Sequence, residues 1–139
     1  MDAQNKFYGV AKFNARVQIV LPKEARDDFQ FSPKESLAIL AGILPHSKDA
    51  FLLMKADLWY NLSSAAPIKD PEKHQFGGLV TLAERGQIVI PKPLRDQYHI
   101  QEGMQAIILS HEKTHSVIIA LLNKDRIGEW ANKMIEEEN

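Results

Sequence analysis

The 139-residue chain contains no cysteine, which excludes disulfide frameworks, zinc ribbons, iron–sulfur clusters and thiol chemistry. It also lacks long apolar runs. The longest, such as residues 117–122, span five or six positions, far below the roughly 20 that a membrane helix requires. The opening residues Met1-Asp2-Ala3-Gln4-Asn5-Lys6 have no apolar stretch of the secretory type, so the cytoplasm is the expected compartment. An excess of one charge is missing too. The net charge of −1 excludes a uniformly basic nucleic-acid binder. No Walker-type or Rossmann glycine pattern occurs, and Ser63-Ser64 has no Gly-x-Ser-x-Gly setting. What remains is a chain 45% hydrophobic and 25% charged, long enough to bury a core as one domain without staples.

The charge is unevenly spread. Residues 6–26 hold Lys6, Lys12, Arg16, Lys23 and Arg26 against Glu24 alone, and residues 81–95 hold Arg85, Lys92 and Arg95 against Glu84. Compensating acid lies elsewhere, including Glu136-Glu137-Glu138. The two basic segments belong to an internal repeat. The segment 7–40 lies over 76–109 without a gap, with 12 of the 34 positions identical. These include Phe7/Phe76, Gly9/Gly78, Arg16/Arg85, Gln18/Gln87, Pro22/Pro91, Lys23/Lys92, Arg26/Arg95 and Asp27/Asp96. Two copies are too few for a solenoid and read better as two halves of one pseudo-twofold unit.

Each copy follows one plan. A short strand (10–13 or 79–83) turns into a second strand (16–21 or 85–90). Alternation puts Arg16, Gln18 and Val20 on one side and Val17, Ile19 and Leu21 on the other, and likewise Arg85, Gln87 and Val89 against Gly86, Ile88 and Ile90. Pro22 and Pro91 end the strand and open a short helix, where a missing N–H does no harm. Its inner face carries Ala25 and Phe29, or Leu94 and Tyr98. A hairpin completes each copy, from strands 37–41 and 51–55 or 106–110 and 117–121. The first connection is about four residues longer, an insertion of a kind that loops absorb. Residues 57–66 read as a helix with Leu58, Trp59 and Leu62, and 67–75 as a polar linker. Residues 124–138 read as an amphipathic helix with Ile127, Trp130, Ala131, Met134 and Ile135 on its apolar face.

The run Arg85-Gly86-Gln87-Ile88-Val89-Ile90-Pro91-Lys92-Pro93-Leu94-Arg95-Asp96, followed by Ile100-Gln101-Glu102-Gly103-Met104, resembles the AbrB/SpoVT/MazE family of swapped-hairpin DNA-binding domains. The first copy resembles it with Val17 in place of the glycine and Ser32-Pro33-Lys34-Glu35 in place of the turn. The resemblance covers about two thirds of the chain. It implies a mainly β fold with short helices, in which two ββαββ repeats exchange hairpins to close a small β-barrel. Here the barrel would be an intramolecular pseudo-dimer, followed by a C-terminal helix. The expected organisation is repeat 1 at 7–56, helix and linker at 57–75, repeat 2 at 76–122, and helix with acidic tail at 123–139.

The resemblance further implies a prokaryotic, nucleoid-associated transcriptional regulator without cofactor. It would bind pseudo-palindromic double-stranded DNA through Lys12, Arg16, Gln18, Lys23, Arg26, Arg85, Gln87, Lys92 and Arg95. The chemistry is apt: Lys and Arg neutralise phosphates, Arg bridges guanine O6/N7, and Gln pairs with adenine N6/N7. The bland reading of the same residues is a solvated surface. The alternative function is an antitoxin or adaptor that engages a toxin-like protein through residues 127–139, whose own bland reading is a helix capping the barrel. Pairing of two such pseudo-dimers into a homodimer is a further expectation. Neither an enzyme nor a metal site is expected: His46, His74, His99, His111 and His115 have no third ligand at convincing spacing, and no nucleophile–base set assembles.

Overall fold

The computed structural model describes residues 5–41, 49–65 and 75–122. The expected C-terminal helix and tail, residues 67–74 of the expected linker, His46, His74 and Trp130 lie outside those residues, and Gln75, the last linker residue, opens a strand instead. The chain runs β1 (Phe7–Lys12), β2 (Gln18–Val20), α1 (Lys23–Phe29), β3 (Ser36–Ala41), β4 (Ala50–Lys55), α2 (Ala56–Ala65), β5 (Gln75–Thr81), β6 (Gln87–Val89), α3 (Lys92–Gln97), β7 (Gln105–His111) and β8 (Ser116–Leu122), with a 3-10 turn at Glu112–Thr114 before β8. The described residues are mainly β with three short helices. None of the described helices is long and apolar enough to cross a membrane.

Six strands form one antiparallel sheet in the order β1-β7-β8-β4-β3-β5, and β2 pairs with β6 in a separate two-stranded ribbon. The first strand of each repeat therefore pairs with the third strand of the other: β1 with β7, and β5 with β3. β4 meets β8 and β2 meets β6, each repeat against its counterpart. The registers repeat as well. When each residue is replaced by its equivalent in the other repeat, Phe7↔Leu109, Gly9↔Ile108 and Lys12↔Gln105 become Phe76↔Leu40, Gly78↔Ile39 and Thr81↔Ser36. Even the bulges coincide, at Tyr8 in β1 and Gly77 in β5. Exchanging the two repeats maps every one of these pairings onto another.

The backbone records the same duplication in its left-handed positions. Gly9 and Gly78, Val17 and Gly86, Gln30 and His99, and Lys34 and Gly103 all have positive φ. Glycine takes such a conformation freely, whereas a Cβ costs about 1–2 kcal/mol there. The first repeat thus keeps the second repeat's turn geometry while lacking two of its glycines. Within the hairpins the two copies fall out of step, because Leu37↔Lys55 corresponds to Ala106↔Leu121. The first connection is longer by three residues rather than four.

The ribbon packs on one face of the six-stranded sheet. Between them lie Phe13, Ile19, Leu21, Phe29, Leu37, Ile39, Phe51, Leu53, Leu82, Ile88, Ile90, Leu94, Ile108, Val117 and Ile119, all buried. Period-two alternation sends the other side chains of β3 and β4 to the opposite face, where Ala38, Leu40, Leu52 and Met54 gather beneath Leu58 and Trp59 of α2. The indole of Trp59 stacks on Phe76 with ring centroids 5.6 Å apart. Leu58 and Trp59 are two of the three residues, with Leu62, that the sequence points to in that helix.

Among the described residues a closed barrel is not formed. The sheet ends at β1 and β5, which have no second strand partner among the described residues. The reason is the length and pairing of β2 and β6. Each is three residues long and takes the other as its strand partner, while the carbonyls of Gln18 and Gln87 accept from Asn14 N and Ala83 N of the preceding turns, so neither bridges the edge strands.

Ile19 and Ile88 face each other at the centre of the ribbon and are fully buried. Truncating either to alanine is expected to cost about 2–5 kcal/mol of unfolding free energy. The double variant should lose measurably less or more than the sum, since directly opposed residues are not independent. Urea denaturation of the single and double variants measures both.

Candidate nucleic-acid interface

The ribbon positions most of the polar residues singled out above. Its inward side chains are Ile19, Leu21, Ile88 and Ile90, all buried, so alternation leaves Gln18, Val20, Gln87 and Val89 outward. Gln18 lies opposite Val89 and Val20 opposite Gln87. The two glutamines are half-buried, while the valines are 44% and 43% exposed. Alternation in the sequence places these valines on the side of Gln18 and Gln87, and the folded chain has them facing solvent.

The antiparallel ribbon also mixes the repeats. Leu21 N donates to Gly86 O at 2.9 Å, so the turn carrying Arg85 lies beside Pro22 and the start of α1, where Lys23 stands. By the same register Arg16 runs toward Pro91 and Lys92. Each end of the ribbon therefore collects cations from both halves, whereas the sequence reading grouped each arginine with the helix of its own repeat. Arg16, Lys23, Arg85 and Lys92 are exposed, and no ion pair holds them among the described residues. Lys12, also exposed, ends β1, with Cε 4.0 Å from where a Cβ would sit on Gly103.

Arg26 and Arg95 are different. Arg26 Nε donates to the Leu21 carbonyl at 3.1 Å, and its side chain lies over the other repeat's turn. A Cβ on Gly86 would come within 2.6 Å of Arg26 Nε. Arg26 is thus a brace between α1 and the opposite half. At the related place Val17 has a real side chain, and Arg95 Nε is buried without a hydrogen-bond partner. A buried donor left unpaired costs about 1–3 kcal/mol.

A second difference concerns the glutamines. Asn14 Oδ1 accepts from the backbone N–H of Arg16 at 2.9 Å and of Gln18 at 3.0 Å, and Asn14 Nδ2 donates to Gln18 Oε1 at 3.1 Å. This Asx-type turn fixes the Gln18 amide. Its counterpart in repeat 2 is Ala83, whose methyl group offers no hydrogen bond to brace Gln87.

The acids of α1 are largely engaged. Lys6 Nζ bridges Glu24 and Asp28, and Tyr8 OH donates to Asp28 Oδ2 at 2.8 Å. Hydrogen bonds from Tyr8 and Lys6 hold the Asp28 carboxyl below its ordinary range, and the bonds to Glu24 and Asp28 raise the Lys6 ammonium. Repeat 2 has Gln75, Gly77, Pro93 and Gln97 at the matching places, so this cluster belongs to the first half alone. His111 and His115 do not form a pair: His111 Nδ1 meets Thr114 Oγ1 at 2.6 Å, and the His115 ring packs 5.2 Å from Phe29. Chemically, the outer ribbon offers amide donors and acceptors, two small apolar contacts, and unpaired cations at both ends.

Two outcomes follow. Asp28 has a lowered pKa, so its contribution to stability is present above the ordinary carboxylate pKa and lost as pH falls through the folded value. Asp28→Asn should be less stable than wild type at neutral pH, with the gap closing on acidification, as followed by thermal unfolding across pH. Gly86→Val copies the first repeat's residue into the second; it adds left-handed strain and displaces Arg26, and should cost about 2–3 kcal/mol in chemical denaturation.

No protein-family model matches the chain, and no curated protein does. Among solved structures, the solution structure of PHS018 from Pyrococcus horikoshii is similar over 88% of this chain and 94% of that one, at 16% identity and a TM-score of 0.41, a likeness too distant to assign either fold or function.

Proposed function

We propose that the protein is a duplex-DNA-binding regulator of the AbrB-like, swapped-hairpin type, with both halves of the DNA-binding unit on one polypeptide. The observation that carries this reading is the two-stranded ribbon. It is twofold-related in register, exposed on its outer face, and flanked at each end by unpaired Arg and Lys drawn from both repeats. A B-DNA major groove admits a two-stranded β-ribbon, and a pseudo-twofold protein suits a pseudo-palindromic site.

The mutual pairing of β1 with β7 and β5 with β3 supports the swapped-hairpin assignment. A lone repeat would leave these strands and the apolar side of its ribbon strand unpaired. Joining the copies makes that association intramolecular and independent of concentration. Arg16, Lys23, Arg85 and Lys92 act as phosphate contacts, and Gln18 and Gln87 as base readers. Arg26 serves this face indirectly by holding α1 against the opposite turn. The protein acts by occupying its site on DNA, with no chemical step.

Fluorescence anisotropy with a pool of random duplexes tests this. Binding should weaken with salt at a log–log slope of roughly −4 to −5, the value for about five phosphate contacts. The paired charge reversals Arg85→Glu/Lys92→Glu and Arg16→Glu/Lys23→Glu should each weaken binding by about 1–3 kcal/mol while leaving the unfolding midpoint nearly unchanged. Folded protein that binds no duplex at low salt would refute the reading.

A further inference from the structure

The outer face of the ribbon carries more information than charge alone. Four side chains point outward, arranged as two cross-strand couples, Gln18 with Val89 and Gln87 with Val20. Directly opposed residues of an antiparallel pair have Cβ atoms about 4.5–5.5 Å apart, so each couple is one contiguous patch, half amide and half hydrocarbon. Among the described residues, Val20 and Val89 are the exposed large hydrophobic residues that sit between the cationic ends. Single exposed apolar residues are ordinary. A matched pair on a polar ribbon, each beside a glutamine, is a pattern with a chemical counterpart.

That counterpart is an A·T base pair. In the major groove adenine shows N7 as acceptor and the N6 amino group as donor, which a glutamine amide matches, and thymine adds O4 and the C5 methyl, which takes an apolar contact. G·C offers no methyl and reverses part of the donor–acceptor pattern. We propose that each Gln–Val couple reads one A·T pair, so that the dyad of the bound duplex carries two A·T pairs in opposite orientation. This rests on the DNA-binding reading above and specifies the class of site. Arg16, Lys23, Arg85 and Lys92 hold the backbone without regard to sequence, and the couples supply the preference. The brace on Gln18 adds a polarity. The Asn14 amide holds Gln18 in place before binding, whereas Gln87, whose turn has Ala83 in that place, must be ordered on contact. The Gln18–Val89 couple is therefore the more stringent reader.

Selection from a randomised 20-base-pair duplex pool with the full chain, followed by replacement of the central thymines with deoxyuridine, tests the proposal. The enriched sites should carry A·T pairs about the dyad. Removing one thymine methyl should weaken wild-type binding about fourfold, the value of one buried methyl-sized contact. The variant Val20→Ser/Val89→Ser should bind thymine and deoxyuridine duplexes equally, and Asn14→Ala should relax base preference in one half-site only. Because Val20 and Val89 are exposed, the unfolding midpoint of Val20→Ser/Val89→Ser should stay close to wild type. Enriched sites without A·T pairs at the dyad, or equal wild-type affinity for thymine and deoxyuridine duplexes, would overturn the base-reading proposal while leaving DNA binding intact. Failure to enrich any duplex would overturn both. Self-association lost in Val20→Ser/Val89→Ser, measured by light scattering, with no thymine-methyl effect would overturn base reading and assign the valines to a protein contact instead.

Discussion

A three-residue strand cannot hold itself in place, and the outer surface of this protein is built from two of them. β2 and β6 pair only with each other, and their inward isoleucines close the core against a sheet that is itself shared between the repeats. The unmet hydrogen bonds and the uncovered apolar face of each half are satisfied by the other half. That mutual dependence explains why β1 and β5 cross over to the opposite repeat and why their registers on β7 and β3 match. A one-residue shift in either strand would send Ile19 or Ile88 outward and a glutamine into the core. It also places cations from both repeats at each end of the ribbon, because antiparallel pairing sets the turn of one copy beside the helix start of the other.

Within this frame the two copies have diverged at positions where divergence has a physical consequence. Val17 occupies a left-handed turn that Gly86 occupies without strain, and Arg95 Nε lacks the kind of carbonyl partner that Arg26 has. Glu35 accepts from Ser32 N and pairs with Lys55, where repeat 2 uses the sulfur of Met104 to accept from Gln101 N. Asn14 braces a glutamine whose counterpart has only Ala83 beside it. The backbone symmetry is nearly complete, and the side-chain symmetry is not. A pseudo-twofold scaffold with unequal halves is suited to a partner whose own halves are unequal.

Much of the local structure was legible from the residues. Alternation gave the inward and outward sides of β2 and β6, Pro22 and Pro91 marked the helix starts, and Leu58 and Trp59 marked α2. The length of β1 and β5 was not: both begin several residues earlier than the local pattern indicates, because Phe7, Gly9, Phe76 and Gly78 become strand only by pairing with β7 and β3. The role of Arg26 was equally hidden. Nothing in its own segment reveals that its guanidinium lies over Gly86, in the other repeat.

Spacing and the steric preferences of single residues were enough to establish the duplication, the types of element and the face on which each ribbon residue sits. They were not enough to establish which strand meets which, that the sheet stays open at β1 and β5, or that the cationic ends are composite. Those features came with the folded chain, because they are set by hydrogen bonds and apolar contacts between residues far apart in sequence, which local periodicity does not encode.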